Sequence, residues 1–176
     1  QHLELARTLA RKFNKKFGST LTEPQPLLTN APRVMNLANP VKKMSKSEPE
    51  GCLFIEDAPE EIKKKVSRAV TDSESEIIYN PNKKPGVSNL LTIFSAISEK
   101  KIETLEKTYH KKSYASFKSD LAKLVTDHFA DYRKNKKALM ARPSLLLETL
   151  RRGSGRAAEI AARKIAEVKK KIGLLV

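Results

Sequence analysis

The sequence predicts a mainly α-helical fold. Apolar residues recur every three or four positions in residues 1–17 and through most of residues 57–172, which is the period of an amphipathic helix. Between these two parts, Pro24, Pro26, Pro32 and Pro40 exclude a long helix, because a proline inside a helix removes a backbone hydrogen bond. We therefore expect extended chain or short strands over residues 19–55, with residues 34–37 as the best strand candidate.

The first predicted helix covers residues 1–17 and ends at Gly18. Its apolar face carries Leu3, Ala6, Leu9, Ala10, Phe13 and Phe17. No Ser, Thr, Asp or Asn precedes the helix as a cap, and the sequence has no initiator Met. From this we expect further chain upstream of Gln1.

The next helices are predicted from residue 57 onward. The order Asp57-Ala58-Pro59-Glu60 is typical of a capping box, with proline in the first turn. Ile62 and Val66 then fall on one apolar face. A polar loop over residues 72–87 is expected to lead into a helix from about Ser88, and a short helix follows through Leu105.

The clearest helical pattern covers residues 114–133, with His128 and Tyr132 in its apolar stripe. We expect His128 to be a core or boundary residue. Pro143 and the Gly153-Ser154-Gly155 stretch are expected to interrupt the chain before a last helix. That last helix should end at Gly173 and bury Ile160, Ala161, Ile165, Val168 and Ile172.

The charge is strongly basic and uneven. The net charge is +15, and residues 99–176 contribute 20 basic against 9 acidic side chains. A polyanion is therefore the expected partner of the C-terminal half, although a solvated lysine-rich surface gives the same pattern.

Several classes of protein are excluded by the composition. Cys52, the one cysteine, rules out a disulfide framework and is expected to be a small buried hydrophobe. The three histidines are spread over the chain without metal-ligand spacing, so we expect no metal site. No apolar run approaches the length of a membrane span, and a cytoplasmic protein without membrane association is expected.

The most informative segment is Lys42-Lys43-Met44-Ser45-Lys46-Ser47-Glu48-Pro49. Ammonium groups on a loop, with hydroxyls and backbone N–H groups between them, suit a polyphosphate whose charge grows during a reaction. Charge alone does not distinguish such a site from a solvated basic loop.

The order of the residues distinguishes these two possibilities. The run Lys43-Met44-Ser45-Lys46-Ser47 resembles the second signature of class I aminoacyl-tRNA synthetases. Residues 69–74 and 84–91 resemble the stretch that follows this signature in bacterial-type tryptophanyl-tRNA synthetases, and residues 1–7 and 153–173 resemble helices on either side. The resemblance covers essentially the whole chain and is to the C-terminal half of such an enzyme.

The resemblance implies that the chain comprises parts of two domains. Residues 1–54 would be the last part of a Rossmann-like nucleotide-binding catalytic domain, and residues 55–176 a helical anticodon-binding domain. The family reaction joins tryptophan to ATP, which binds with Mg²⁺, and passes the tryptophan from the adenylate to its tRNA. The resemblance also implies a homodimer formed through the N-terminal half that this sequence lacks.

The same resemblance assigns roles to six residues. Lys43 and Lys46 would be catalytic, neutralising the pyrophosphate leaving group. Ser45 and Ser47 would supply hydroxyl and backbone donors, Met44 would lie near the adenine, and Val34 would line the adenine pocket through its backbone.

Three hypotheses of the function follow from the sequence. The leading one is the C-terminal part of a tryptophan-activating synthetase. In that family the other class I signature and the tryptophan pocket lie upstream of the residues matched by this chain, so we expect this segment alone to be inactive. A tyrosine-activating relative is the nearest alternative, although residues 84–91 argue against it. A non-catalytic helical RNA-binding module is the alternative of another class.

Overall fold

The computed structural model describes residues 1–29, 31 and 33–174. Pro32, one of the prolines that exclude a helix, therefore lies outside the described residues. Within these ranges the chain forms seven α-helices and one 3₁₀ turn: α1 (His2–Phe17), the turn (Pro49–Gly51), α2 (Pro59–Arg68), α3 (Pro85–Ser98), α4 (Ile102–Thr108), α5 (Tyr114–His128), α6 (Ala130–Met140) and α7 (Pro143–Lys171). The mainly helical prediction is confirmed.

No strand occurs in the part of the chain that is described. The segment over residues 34–37, the best strand candidate, forms a single antiparallel bridge between Met35 and Lys43. The prediction of a strand was wrong, because only the residues flanking this pair exchange ladder hydrogen bonds.

The chain divides into two compact units. The first unit consists of residues 1–27 and 138–176, and contains α1 and α7. The second unit consists of residues 28–137, and contains α2 to α5 with the lysine- and serine-rich loop.

The core of the second unit is formed where α2 and α3 pack against α5. Ile62, Val66, Leu91 and Leu121 are completely buried there, as their helical spacing predicts. Three aromatic rings fill the same core, with centroid separations of 5.7 Å for Phe94–Tyr109, 5.8 Å for Phe94–Phe117 and 4.9 Å for Tyr109–Phe117. Burial of each large apolar side chain contributes about 1.5–3 kcal/mol to the free energy of folding.

The start of α2 differs from the predicted capping box. Ala58, not Asp57, is the N-cap residue, and Pro59 opens the helix. The Asp57 carboxylate instead accepts a hydrogen bond from the Phe54 N–H at 2.9 Å and pairs with the Lys65 ammonium at 2.7 Å. Both side chains of this pair are largely buried. The Asp57 carboxylate is thus bound by Lys65, a partner that the capping pattern does not predict.

The helix predicted over residues 114–133 is divided at Phe129. The Phe129 N–H bonds to the Val125 carbonyl at the end of α5, and its ring packs on the core while α6 begins at Ala130. His128 is exposed and its ring lies edge-on to Phe129, so its prediction as a core or boundary residue was wrong. The apolar stripe ends at Val125, because the chain turns before Tyr132 could join it.

In the first unit, α7 continues through Gly153-Ser154-Gly155 without interruption, contrary to expectation. A glycine inside a helix costs only about 1 kcal/mol relative to alanine, which a long helix tolerates. None of the 29 residues of α7, all of which the structure describes, is buried, and Ile160 is 63% exposed. The predicted buried face is therefore wrong, because α1, the other helix of this unit, does not pack closely along α7 in the described residues.

The predicted end of the last helix is confirmed. Gly173 adopts a left-handed conformation with φ of 79°, and the Leu174 N–H bonds to the Lys169 carbonyl at 2.9 Å. Among the helices of the described ranges, none has both the length and the apolar character that crossing a membrane requires.

Candidate functional site

The lysine- and serine-rich run over residues 43–47, here called the signature loop, starts from a short antiparallel pairing. The Met44 N–H donates to the Val34 carbonyl, and the Asn36 N–H donates to the Lys42 carbonyl, both at 2.9 Å. Lys43 is thus held from both sides, opposite Met35. The backbone of the first lysine of the signature is fixed even though its side chain is exposed.

The Asn36 side chain forms hydrogen bonds to the residues before the signature loop and to the residue that follows it. Its side-chain oxygen accepts from the N–H groups of Ala38 and Asn39 at 2.8 and 3.0 Å, and its amide nitrogen donates to Glu48 at 3.0 Å. Asn36 is only 2% exposed. A Cβ on Gly51 would lie 1.8 Å from the Asn36 side-chain oxygen, so only glycine permits this close approach.

The signature loop itself folds into an exposed turn. The Glu48 N–H bonds to the Ser45 carbonyl at 3.1 Å, and the Ser47 N–H bonds to the Ser45 hydroxyl oxygen at 3.3 Å. Lys43, Ser45, Lys46 and Ser47 are exposed, and Met44 is half-buried.

The two lysines of the signature loop have no anionic partner in the described ranges. Lys42, just before the loop, lies 3.5 Å from the Glu48 carboxylate, whereas the ammonium groups of Lys43 and Lys46 make neither an ion pair nor a hydrogen bond with any described residue. Two uncompensated positive charges on one short turn attract a polyanion such as a chain of phosphates.

Val34 and Met44 lie on the wall of one cavity of about 780 Å³. The wall also includes Phe54, Ile93 and Phe129, and it is mostly apolar. The structure thus brings Val34 and Met44 together and places Lys43, Ser45, Lys46 and Ser47 on the turn that continues from Met44.

Sequence reasoning missed Asn89, which supports the loop from α3. Its side-chain oxygen accepts from the Met35 N–H and its amide nitrogen donates to the Met35 carbonyl, both at 2.8 Å. Asn89 is 5% exposed. The signal that could have found it is a polar amide directly before Leu90 and Leu91 on the apolar part of a helix.

Sequence reasoning also missed a partly buried polar network in the same unit. The Lys84 ammonium lies 3.2 Å from Asp72 and 2.6 Å from Glu74, and its side chain is 9% exposed. The Tyr114 hydroxyl donates to the Asp72 carboxylate at 2.7 Å. The network joins the stretches over residues 69–74 and 84–91 and attaches them to α5.

The network shifts the ionisation of its members. Burial alone would raise the pKa of Asp72, but the hydrogen bonds from Tyr114 and Lys84 outweigh it and hold that pKa below its usual value. Burial would likewise lower the pKa of Lys84, yet its bonds to Glu74 and Asp72 raise it. Burial and the bond to Asp72 raise the pKa of Tyr114 to about 12. All three groups therefore keep their ordinary charge states at neutral pH.

Cys52 is buried, as predicted, and burial raises the pKa of its thiol. In the ranges that the structure covers, no three His, Cys, Asp or Glu side chains are grouped as metal ligands would be.

The family is shown by comparison with known proteins. A family model described as class I tRNA synthetases (W and Y) matches residues 1–130. The chain belongs to this family, the class I synthetases for tryptophan and tyrosine.

The relatives are more specific than the family model. The tryptophan–tRNA ligase of Caldanaerobacter subterraneus subsp. tengcongensis is 39% identical over 179 residues, which covers 100% of this chain and 54% of that protein. The tryptophan–tRNA ligase of Bacillus anthracis is 40% identical over 177 residues, with 99% and 54% covered. The predicted resemblance to tryptophanyl-tRNA synthetases is confirmed.

Solved structures agree with these relatives. The tryptophanyl-tRNA synthetase of Mycoplasma pneumoniae matches with a TM-score of 0.87 and 31% identity, over 99% of this chain and 53% of that one. The tryptophanyl-tRNA synthetase of Campylobacter jejuni, complexed with ADP and tryptophan, matches with a TM-score of 0.66 and 30% identity, over 98% and 54%. The chain thus spans about half the length of the relatives it matches.

Proposed function

We propose that this chain supplies the signature loop and the tRNA-binding helices of a tryptophan–tRNA ligase. In this reaction the tryptophan carboxylate attacks the α-phosphate of ATP and pyrophosphate leaves; tryptophan is then transferred from the adenylate to its tRNA, and AMP leaves. ATP is a substrate of this reaction and binds together with Mg²⁺. One observation supports the proposal above all: the ammonium groups of Lys43 and Lys46, which have no acidic partner among the described residues, lie on a turn whose base is held by backbone hydrogen bonds, in a chain about 40% identical to tryptophan–tRNA ligases.

Lys43 and Lys46 act on the leaving group. Negative charge grows on the pyrophosphate as its bond to the α-phosphate breaks, and a positioned ammonium stabilises that charge most in the transition state. Their exposure and lack of a described acidic partner support this role. The Ser45 hydroxyl accepts from the Ser47 N–H, so its own hydrogen is left to donate to a phosphate oxygen, and the Ser47 hydroxyl is exposed beside it.

Val34 and Met44 bind the adenine. The apolar wall that they share suits the flat face of a base, and the Met44 thioether adapts to its shape. The Val34 carbonyl already accepts from the Met44 N–H, so a contact to adenine uses its second lone pair or the Val34 N–H.

The remaining assignments concern the whole enzyme. Residues 1–54 end the nucleotide-binding catalytic domain, and residues 55–176 form the helical domain that reads the anticodon. The excess of 11 positive charges in residues 99–176 supports contact with tRNA. The enzyme works in the cytoplasm as a homodimer, formed through the half of the relatives that this chain does not cover.

The test is amino-acid-dependent exchange of labelled pyrophosphate into ATP, measured on the full-length gene product that carries this chain. We expect exchange with tryptophan and none with tyrosine, and charging of tryptophan tRNA. Exchange with tyrosine alone would identify the tyrosine-activating relative. Binding of tRNA without exchange for either amino acid would identify the non-catalytic RNA-binding module.

A further inference from the structure

We propose that Asn89 is a positioning residue for the signature loop, holding the backbone of Met35 so that Lys43 meets the phosphates in register. The inference rests on the proposed function and adds a residue outside the loop to it. Among the described residues Asn89 makes its side-chain hydrogen bonds to Met35 and none to the loop, and it does not line the cavity, so it acts through Met35.

The hydrogen-bond pattern around Met35 explains why a side chain is needed there. Because Val34 and Asn36 make the bonds to Met44 and Lys42, the N–H and carbonyl of Met35 point away from Lys43. In a sheet these groups would pair with a third strand. No strand lies there in the described part of the chain, and the Asn89 amide takes its place, with one donor and one acceptor at 2.8 Å each.

The support behind Asn89 is rigid. The residue lies on α3 between Val87 and Leu91, which are completely buried, and α3 packs against α5. An amide in such surroundings is stable only with both of its bonds made, because an unpaired buried polar group has lost its water without replacement. The 54-residue separation between Asn89 and Met35 means that this contact belongs to the tertiary structure.

A displacement of Met35 is transmitted to Lys43 on both sides. Residues 34 and 36, next to Met35, are bonded to residues 44 and 42, next to Lys43, so the two segments move together. A misplacement of about 1 Å at a reacting group commonly costs about 100-fold in rate. Loss of the Asn89 bonds should therefore affect the rate of adenylate formation more than the binding of tryptophan.

The kinetic experiment compares Asn89→Leu with Ser88→Ala in the full-length gene product. The first change keeps the shape of Asn89 and removes both bonds to Met35. The control removes a buried oxygen from the neighbouring residue of the same helix, where Ser88 accepts from the Asn80 N–H at 2.8 Å and not from Met35. We expect kcat for exchange to fall about 10–100-fold in Asn89→Leu, with KM for tryptophan within twofold of wild type, and kcat within about twofold in Ser88→Ala. A kcat in Asn89→Leu that equals that of Ser88→Ala would overturn the inference.

Amide hydrogen exchange separates positioning from general destabilisation. In Asn89→Leu, the Asn36 and Met44 amides should exchange at least tenfold faster than in Ser88→Ala, while the Leu121 amide on α5 exchanges alike in both. Equal loss of protection at all three amides would show a merely structural residue and overturn the inference. If the wild type shows no pyrophosphate exchange, the proposed function fails, and the hydrogen-exchange comparison still decides separately whether Asn89 holds the loop.

Discussion

Two sets of lysines in the second unit differ in their surroundings. Lys65, Lys84 and Lys118 are largely or partly buried and bond to carboxylates or to backbone carbonyls, so their charges serve the fold. Lys43 and Lys46 are exposed and have no such partner among the described residues. An ammonium without an internal partner keeps its charge available for a ligand.

The proposed role of Lys46 can be tested by replacing its side chain with that of alanine. In the full-length gene product, Lys46→Ala should slow tryptophan-dependent pyrophosphate exchange about 10²–10³-fold and leave KM for tryptophan nearly unchanged, because in the proposed role Lys46 stabilises a charge that develops only in the transition state. Lys63→Ala, which removes an exposed lysine from α2, is the matched control. An exchange rate for Lys46→Ala within about threefold of wild type would exclude this role.

The network of Asp72, Lys84 and Tyr114 predicts how stability depends on pH. Burial and its bond to Asp72 raise the pKa of Tyr114 to about 12, whereas an unfolded tyrosine titrates near 10. The folded protein therefore holds this proton more tightly, and the stabilisation is complete below about pH 10 and is lost as the pH rises to about 12. Urea unfolding at pH 9 and pH 11 should show a lower free energy of unfolding at pH 11.

The contribution of Tyr114 to this loss is isolated by Tyr114→Phe. Its free energy of unfolding should fall by about 1 kcal/mol at pH 9, and the decrease between pH 9 and pH 11 should become smaller. Part of the decrease remains, since burial and the bond to Asp120 also raise the pKa of Tyr109. Tyr132→Phe, at an exposed position, is the control; an identical pH dependence in both variants would contradict the assignment to Tyr114.

At the scale of elements, helix ends were harder to predict than helices. The periodic apolar residues predicted α2, α3, α4 and α5, whose apolar faces form the core of the second unit. Asp57 failed as a cap because Lys65 takes its carboxylate, and α5 ends early because Phe129 packs on the core. In both places a contact from another part of the structure outweighs the local preference.

The glycines of α7 give a prediction at this scale. A Cβ on Gly153 would meet no atom within 4 Å, so Gly153→Ala should raise the free energy of unfolding by about 0.5–1 kcal/mol through helix propensity. Gly51→Ala is the opposite case, because its Cβ would overlap the Asn36 side chain at 1.8 Å, and it should destabilise the protein. Urea unfolding of both variants checks the signs; destabilisation by Gly153→Ala would show that α7 needs flexibility there.

At the scale of the whole molecule, most of the basic residues of the C-terminal half are on the surface. Lys134 and Lys137 on α6 are exposed, whereas the neighbouring Lys136 pairs with Glu56. The double variant Lys134→Glu/Lys137→Glu should weaken tRNA binding and make its dependence on salt less steep, because phosphate contacts release counterions. Filter binding at several salt concentrations measures both.

A matched control for this surface is Lys63→Glu/Lys83→Glu, which changes the net charge equally within residues 1–98. If both double variants bind tRNA with the same affinity and salt dependence, only the total charge matters, and the lysines of α6 form a solvated surface.

The 176-residue chain by itself is expected not to activate tryptophan. In the proposed function, Val34 and the signature loop serve only the phosphates and the adenine of ATP, and rate acceleration requires both reactants to be held in line. Purified residues 1–176 should show no tryptophan-dependent pyrophosphate exchange, although weak tRNA binding is expected. Exchange at the rate of a complete synthetase would mean that a tryptophan pocket exists within this chain.

The helical class of the fold could be predicted from the sequence alone, as could most of the helices and the position of the signature loop. These features are local: periodicity, prolines and an ordered run of five residues carry them without reference to distant contacts. The tertiary structure decided what surrounds the loop, since Asn89 lies 54 residues from Met35, and Tyr114 lies 42 residues from Asp72. It also decided which apolar faces are covered: that of α5 is buried and that of α7 is exposed, because burial depends on which elements pack together and not on the pattern of a single helix.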